Sequence, residues 1–404
     1  MKKKLWNKDF LLMLQGNAVS AIGELLYGVA IGYWVYDQTG SSALMGIMSS
    51  ISMFISMFLT PFTGSIIDKC NRKWIIVGMD VLRALLMLAI GAMAFANVLS
   101  VAAVMVVAAL SSLCSVFFSP AVSTLMIDII PHDDMVRGQS VHSGVVSLVN
   151  LVGKAFSGVL VAFLGVPLVM VLNGVSYLIS AVTELFIHVP RTVGQGTKVT
   201  VNGVLSDFGV AVRQIFADRF MKLFVPAILL LNLLASGAFS MILPFCMEKG
   251  FTLDMYGYLM SAETAASVIC VVLLGFIKFS PRARFRILCI GFVVSTLFFC
   301  MAYLSNSFVM VCVWGFLGAM FNAAGNAVFN AALMLSLPEE NRGAIMGFIS
   351  AACTGGVALS AVIYGLLGEI FPLYLVFVGG SLLTIVPMIY VFFHPYTKEF
   401  MLQH

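Results

Sequence analysis

Four ionisable side chains fall inside long apolar runs of this sequence: Glu24, Arg83, Lys154 and Glu263. A charge in hydrocarbon costs about 2.5–3.5 kcal/mol even on insertion scales, so such residues face a cavity or a partner of opposite sign. A carboxylate so placed can take up and release a proton, and an ammonium beside it can neutralise it. Counting about 1.5 Å per residue from one boundary of the runs, Glu24, Lys154 and Glu263 each lie roughly 21–23 Å deep, at one level somewhat beyond the midplane. Arg83 is shallower, and Asp80, at i, i+3, shares its helix face as a structural ion pair. Asn232, and Asn322 with Asn326 at i, i+4, are polar groups in apolar runs. They serve either as cavity contacts or as helix–helix hydrogen bonds.

The elements that carry these residues follow from composition. Of 404 residues, 61% are hydrophobic and only 10% are Asp, Glu, Lys or Arg. An ordinary soluble domain has roughly 25% charged residues, and so few cannot cover a soluble surface. This composition excludes a soluble enzyme, a disordered chain and a nucleic-acid binder. A bilayer core takes about 20 apolar residues per helix. Twelve such runs can be read, at about 10–36, 43–67, 74–96, 98–119, 139–164, 166–187, 220–246, 254–278, 284–304, 307–335, 344–368 and 371–393. No cleavable signal peptide is expected, because the first apolar run is too long for one.

Lys and Arg set the orientation. With an even number of spans both termini share a side, and 19 of the 22 basic residues fall on it, against Lys249 alone on the other. Both termini and the central loop are therefore expected to be cytoplasmic. Within that loop Leu205, Phe208, Val212 and Ile215 recur at helical spacing, which predicts an amphipathic surface helix over 203–217. The chain divides into 1–187, a linker at 188–219, and 220–404. The halves resemble each other. Pro131 to Gly138 after span 4 matches Pro338 to Gly343 after span 10, and Phe163-Leu164-Gly165 matches Leu366-Leu367-Gly368. Repeated halves are a mark of secondary transporters, with substrate bound between them near the midplane.

Between spans 2 and 3 stands Gly64-Ser-Ile-Ile-Asp68-Lys69-Cys-Asn71-Arg72-Lys73. This resembles the G-x-x-x-D-[RK]-x-[GN]-[RK]-[RK] loop of the major facilitator superfamily. Asp80-Val-Leu-Arg83-Ala84, Ser119-Pro120-Ala121, Asp128-Ile-Ile-Pro131, Tyr36 to Ser41 and Asp207 to Arg213 are similar in order and spacing to its macrolide and multidrug efflux branch. The resemblance implies an all-α membrane protein of 12 transmembrane helices in two pseudo-symmetric six-helix bundles, working by alternating access. It also implies that Gly64, Asp68, Lys69, Arg72 and Lys73 stabilise one conformational state. The sequence departs from the pattern in span 5, where Gly153-Lys154-Ala-Phe-Ser-Gly158 has Lys in place of the usual Pro. It departs again in span 4, which lacks the Arg of many proton-coupled exporters.

In the family fold spans 1, 4, 7 and 10 line the cavity, and spans 5 and 8 meet across the domain interface. That arrangement pairs Lys154 either with Glu263 across the halves or with Glu24 within the first. Glu24 is then the protonation or cation-recognition site. The implied function is export of amphipathic small molecules by proton antiport, in a bacterial-type plasma membrane and as a monomer. The alternative is an exporter or flippase of a native metabolite such as a siderophore or lysophospholipid. Eight scattered cysteines show no metal spacing, and no GxxxxGK[ST], HExxH or GxSxG sequence occurs. No metal or cofactor is expected, and neither an enzyme nor an ATP-driven pump.

Overall fold

A chain this apolar must satisfy its backbone hydrogen bonds internally, and helices do so within each segment. The computed structural model describes residues 5–131, 134–188, 219–276, 280–336 and 342–392, with 209, 213, 216 and 394 besides. Apart from 209, 213 and 216, the amphipathic helix expected over 203–217 lies outside them, as does most of the linker.

The described helices are α1 (Lys8–Thr39), α2 (Ser42–Lys69), α3 (Arg72–Phe95), α4 (Val101–Ile129), α5 (Met135–Leu164) and α6 (Val166–Leu185) in the first half. The second half holds α7 (Arg219–Ser240), α8 (Ile242–Glu248), α9 (Leu253–Phe276), α10 (Pro281–Leu304), α11 (Phe308–Ser336), α12 (Arg342–Gly368) and α13 (Leu373–Phe392). Among the described residues ten helices are long and apolar enough to cross a membrane, or twelve when each of two bent pairs counts as one span.

The bends have local causes. Pro244 in α8 has no N–H for the carbonyl of Ser240 and its ring crowds that carbonyl. The expected single span over 220–246 is accordingly broken at Met241, with a turn of 48° between its two parts. Ahead of the break, side chains of α12 bond the backbone of α7: the Ser360 hydroxyl accepts the Gly237 N–H at 2.7 Å, and the Tyr364 hydroxyl donates to the Leu234 carbonyl. α5 bends by 54° between Lys154 and Phe156, beside Gly153 and Ser157 and without a proline.

The fourth span is longer than the run read at 98–119. Pro120 does not end it, and α4 continues to Ile129. The Thr124 hydroxyl takes up the Pro120 carbonyl at 2.6 Å, and the Asn7 amide takes up that of Ile129 at 2.9 Å. α3 stops where Asn97 adopts a left-handed φ of 54° and the Val98 N–H reaches back to the Met93 carbonyl, a hydrogen-bonded helix stop.

The chain forms two units, 1–38 with 54–204, and 39–53 with 205–404. The first part of α2 thus belongs with the second half of the sequence. Its Ser50 hydroxyl donates to the Ala358 carbonyl at 2.7 Å, and Gly46 lies so near the Ala361 carbonyl that a Cβ there would stand 2.3 Å from it. Glu369 accepts the Ala43 N–H and the Ser41 hydroxyl at the start of α2. These hydrogen bonds hold its carboxyl below the usual carboxylate range.

In unit 1, α3 packs against α4 and α6, and α5 against α4 and α6. One end of it is closed by a buried cluster that includes Phe10, Met13, Ile76, Leu125, Met126, Ile129 and Ile187. In unit 2, α11 packs against α9 and α10, while α7 packs against α12 and α13.

Candidate functional site

Helix α6 carries Asn173, Ser176, Tyr177, Ser180, Thr183 and Glu184, recurring every three or four residues and so forming one polar stripe. In an apolar helix such a stripe turns inward, and here Asn173, Tyr177, Ser180 and Glu184 are at most 2% exposed. α1 meets the stripe with small residues. A Cβ on Gly23 would stand 2.3 Å from the Ser176 hydroxyl and 2.6 Å from the Asn173 side-chain oxygen Oδ1. Only glycine permits that approach, and it fixes the height of the next residue, Glu24.

Opposite, α3 contributes Asp80 and Arg83, 0% and 2% exposed. Arg83 Nη1 lies 3.7 Å from Asp80 Oδ1, on the shared face expected from their spacing. The guanidinium is also sandwiched by aromatic rings, 4.4 Å from the centroid of Phe118 on α4 and 5.1 Å from that of Tyr177. Glu184 accepts the Ser180 hydroxyl at 3.3 Å and lies within electrostatic reach of both Asp80 and Arg83. Glu24 is exposed on α1 and acts electrostatically on Tyr27, Asp80, Arg83 and Tyr177. Unit 1 therefore gathers three carboxyl groups around one guanidinium.

Lys154 is exposed at the bend of α5. Among the described residues it forms no ion pair with Glu24, its possible partner within the same unit. Glu263, in unit 2, is half-buried and stands 3.1 Å from where a Cβ on Gly315 would be. It lies within electrostatic reach of Cys246, Tyr256, Tyr303 and Cys312, residues of α8, α9, α10 and α11. No Lys or Arg among the described residues is paired with it.

Asn232 bonds along α7 to the Ile228 carbonyl at 3.0 Å and across to Cys353 Sγ on α12 at 3.6 Å. Asn326 is exposed and donates to the Asn322 side-chain oxygen at 2.8 Å, so these two form one polar pair on α11. Both observations fit polar packing as well as a cavity wall.

The loop between α2 and α3 holds unit 1 together at one end. Gly64, Asp68 and Lys69 lie in the last turns of α2, and their side chains are outside the described residues. Arg72 pairs with Asp128 in the last turn of α4 at 2.5 Å. Lys73 donates to the Leu185 carbonyl at 2.6 Å and so caps the C-terminus of α6, where a cation also meets the negative end of the helix dipole. Two adjacent basic residues thus tie the start of α3 to the ends of α4 and α6.

Sequence reasoning passed over Asp128 and Glu184 as site residues. The α6 stripe was the signal for Glu184, but its place near the end of the run at 166–187 pointed to water. Among the described residues no group of three His, Cys, Asp or Glu side chains is arranged to hold a metal.

Comparison with known proteins supports the fold and the family. The chain is 22% identical to macrolide efflux protein A of Streptococcus pyogenes over 46% of this chain and 46% of that protein. It is 19% identical to the uncharacterized MFS-type transporter YkuC of Bacillus subtilis over 64% of this chain and 61% of that one. The chain spans about half the length of the macrolide efflux relatives it matches. A crystal structure of a bacterial homolog of the human lysosomal transporter Spinster superposes with a TM-score of 0.75 at 13% identity, covering 100% of this chain and 99% of that one. The nucleoside transporter NupG (D323A mutant) superposes at 0.74 and 16% identity, covering 95% and 100%. These likenesses show the all-helical fold. The family model of the Major Facilitator Superfamily matches residues 13–277 and 227–399. By that match the chain belongs to the Major Facilitator Superfamily, and so is a multi-pass membrane transporter rather than an enzyme.

Proposed function

We propose that the protein exports amphipathic small molecules by proton antiport, through alternating access of its two bundles. One observation carries the proton reading. Glu24 and Glu263, one in each unit, lie in membrane-spanning helices and pair with no Lys or Arg among the described residues. A carboxyl group in a membrane-spanning helix, with no cation paired to it, is a group through which a transported proton can pass. Lys154, exposed at the bend of α5, is a cation available to such an acid. The similarity to macrolide efflux protein A supports a bulky amphipathic substrate. The excess of Lys and Arg on one side supports cytoplasmic termini.

A drug-sensitivity panel in a host lacking its own pumps, with and without a proton uncoupler, tests this reading. Raised tolerance to macrolides or other amphipaths that the uncoupler abolishes is expected. Unchanged tolerance to every compound, with altered lipid or siderophore content of the medium, would favour export of a native metabolite.

The loop from Gly64 to Lys73 is read as a conformational latch. Arg72 and Lys73 hold three helix ends of unit 1, and the resemblance gives Asp68 of the same motif the part of engaging when the bundles rock. Asp68→Asn is expected to slow turnover several-fold while leaving the affinity for a transported dye nearly unchanged. A variant with wild-type turnover shows that the loop is no latch.

A further inference from the structure

The pair formed by Asp80 and Arg83 is not a closed ion pair. A charge-assisted hydrogen bond has a length of about 2.7–2.9 Å, and here the approach is 3.7 Å. Both Asp80 oxygens, Arg83 Nε and Nη2, and Glu184 Oε2 are buried and have no hydrogen-bond partner. Buried polar atoms left open in this number are rare in finished structures. They cluster at one point, where α3 and α6 pack together.

A count of charges gives the reason. The groups facing the point are Asp80 and Arg83 from α3, Tyr177 and Glu184 from α6, Glu24 and Tyr27 from α1, and Cys114 from α4. α5, which also packs on α6, bears Lys154, which is exposed, and His142, which lies 3.4 Å from the Asn17 amide. Arg83 is thus the one cation of the cluster, and it neutralises one carboxylate. With both Asp80 and Glu184 ionised, a negative charge would remain in a pocket where each is at most 1% exposed. Neutralising it with a proton is far cheaper than burying it.

We propose that Asp80 and Glu184 form a second proton site, sharing a single proton opposite Arg83, with Glu24 as the exposed acid beside it. Whichever carboxyl is ionised faces the guanidinium, and the other keeps the proton. Ser180 donates to Glu184 at 3.3 Å and faces Asp80 as well. This site deepens the antiport reading, since it would store the proton within the first bundle, but its occupancy can be measured without transport.

Infrared spectra of the purified protein in lipid, recorded as pH is raised, show protonated carboxyl groups through their carbonyl stretch. Beside any contribution from Glu24 and Glu263, which stays in the variants below, the wild type is expected to show one such band at neutral pH that disappears on alkalinisation. Glu184→Gln removes the band, because Asp80 then ionises against Arg83. Asp80→Asn also removes it at neutral pH, because Glu184 takes over the guanidinium. Loss in both variants is the signature of one shared proton. A band that survives in full in Asp80→Asn overturns the sharing, and a wild type with no band sensitive to either change overturns the site. Should either amide variant fail to fold, Ser180→Ala decides, since losing its hydrogen bond must shift the band and an unshifted band contradicts the proposal. If the band behaves as expected but export ignores an uncoupler, the antiport reading fails and the proton site stands.

Discussion

Replacing Glu24 with glutamine is expected to remove all proton-driven export while leaving substrate exchange in place. The amide has nearly the volume of the acid, so the close approach of α1 to α6 at Gly23 survives. What is lost is a group that can be charged or neutral. Exchange of substrate for substrate needs no net proton movement and should continue, whereas uptake into everted vesicles driven by an imposed pH gradient should fall to the level of vesicles without the protein. If gradient-driven transport persists undiminished and keeps its dependence on pH, Glu24 has no part in coupling.

The second large effect concerns Arg83. Methionine in its place keeps the packing between Phe118 and Tyr177 but leaves Asp80 and Glu184 with no cation. Removing one member of a buried charged pair costs about 3–5 kcal/mol, because the remaining charge is uncompensated. Protons can relieve that cost. In the variant the folded state binds protons more readily than the unfolded chain, so stability falls as pH rises and recovers as pH falls. Thermal unfolding in detergent should therefore show a deficit that is largest at alkaline pH and smallest in acid. Adding Asp80→Asn to Arg83→Met should restore part of the loss at alkaline pH. A deficit independent of pH would mean that Arg83 acts by packing alone.

Much of the architecture was legible because hydrophobic length is a physical requirement. A helix must span the bilayer, and the runs at 74–96, 284–304 and 371–393 fall close to α3, α10 and α13. Ends governed by tertiary hydrogen bonds were not legible. The run read at 98–119 stops short of Pro120, yet α4 runs on to Ile129, where the Asn7 amide takes up the last carbonyl. Pro244 was visible in the sequence, but the hydrogen bonds of Ser360 and Tyr364 to α7 just ahead of the break come from more than a hundred residues away.

The site shows the same division. Depth along a helix made Glu24, Lys154 and Glu263 candidates, since only the count of residues was needed. Facing direction did not follow from that count. Glu184 lies near the end of α6 and would meet water on the outer face, whereas the inner face buries it within electrostatic reach of Asp80. The spacing of Asn173, Ser176, Tyr177 and Ser180 carried that information. The tie from Arg72 to Asp128 joins residues 56 apart in the chain and depends on how α3 and α4 pack.

Proton exchange itself is tested most directly in everted membrane vesicles whose interior is acidified and reported by a pH-sensitive dye. Adding a macrolide should release the dye signal as protons leave in exchange for the compound, with no release from vesicles carrying Glu24→Gln. Macrolide accumulation that proceeds at its full rate after an uncoupler has collapsed the gradient would contradict proton antiport.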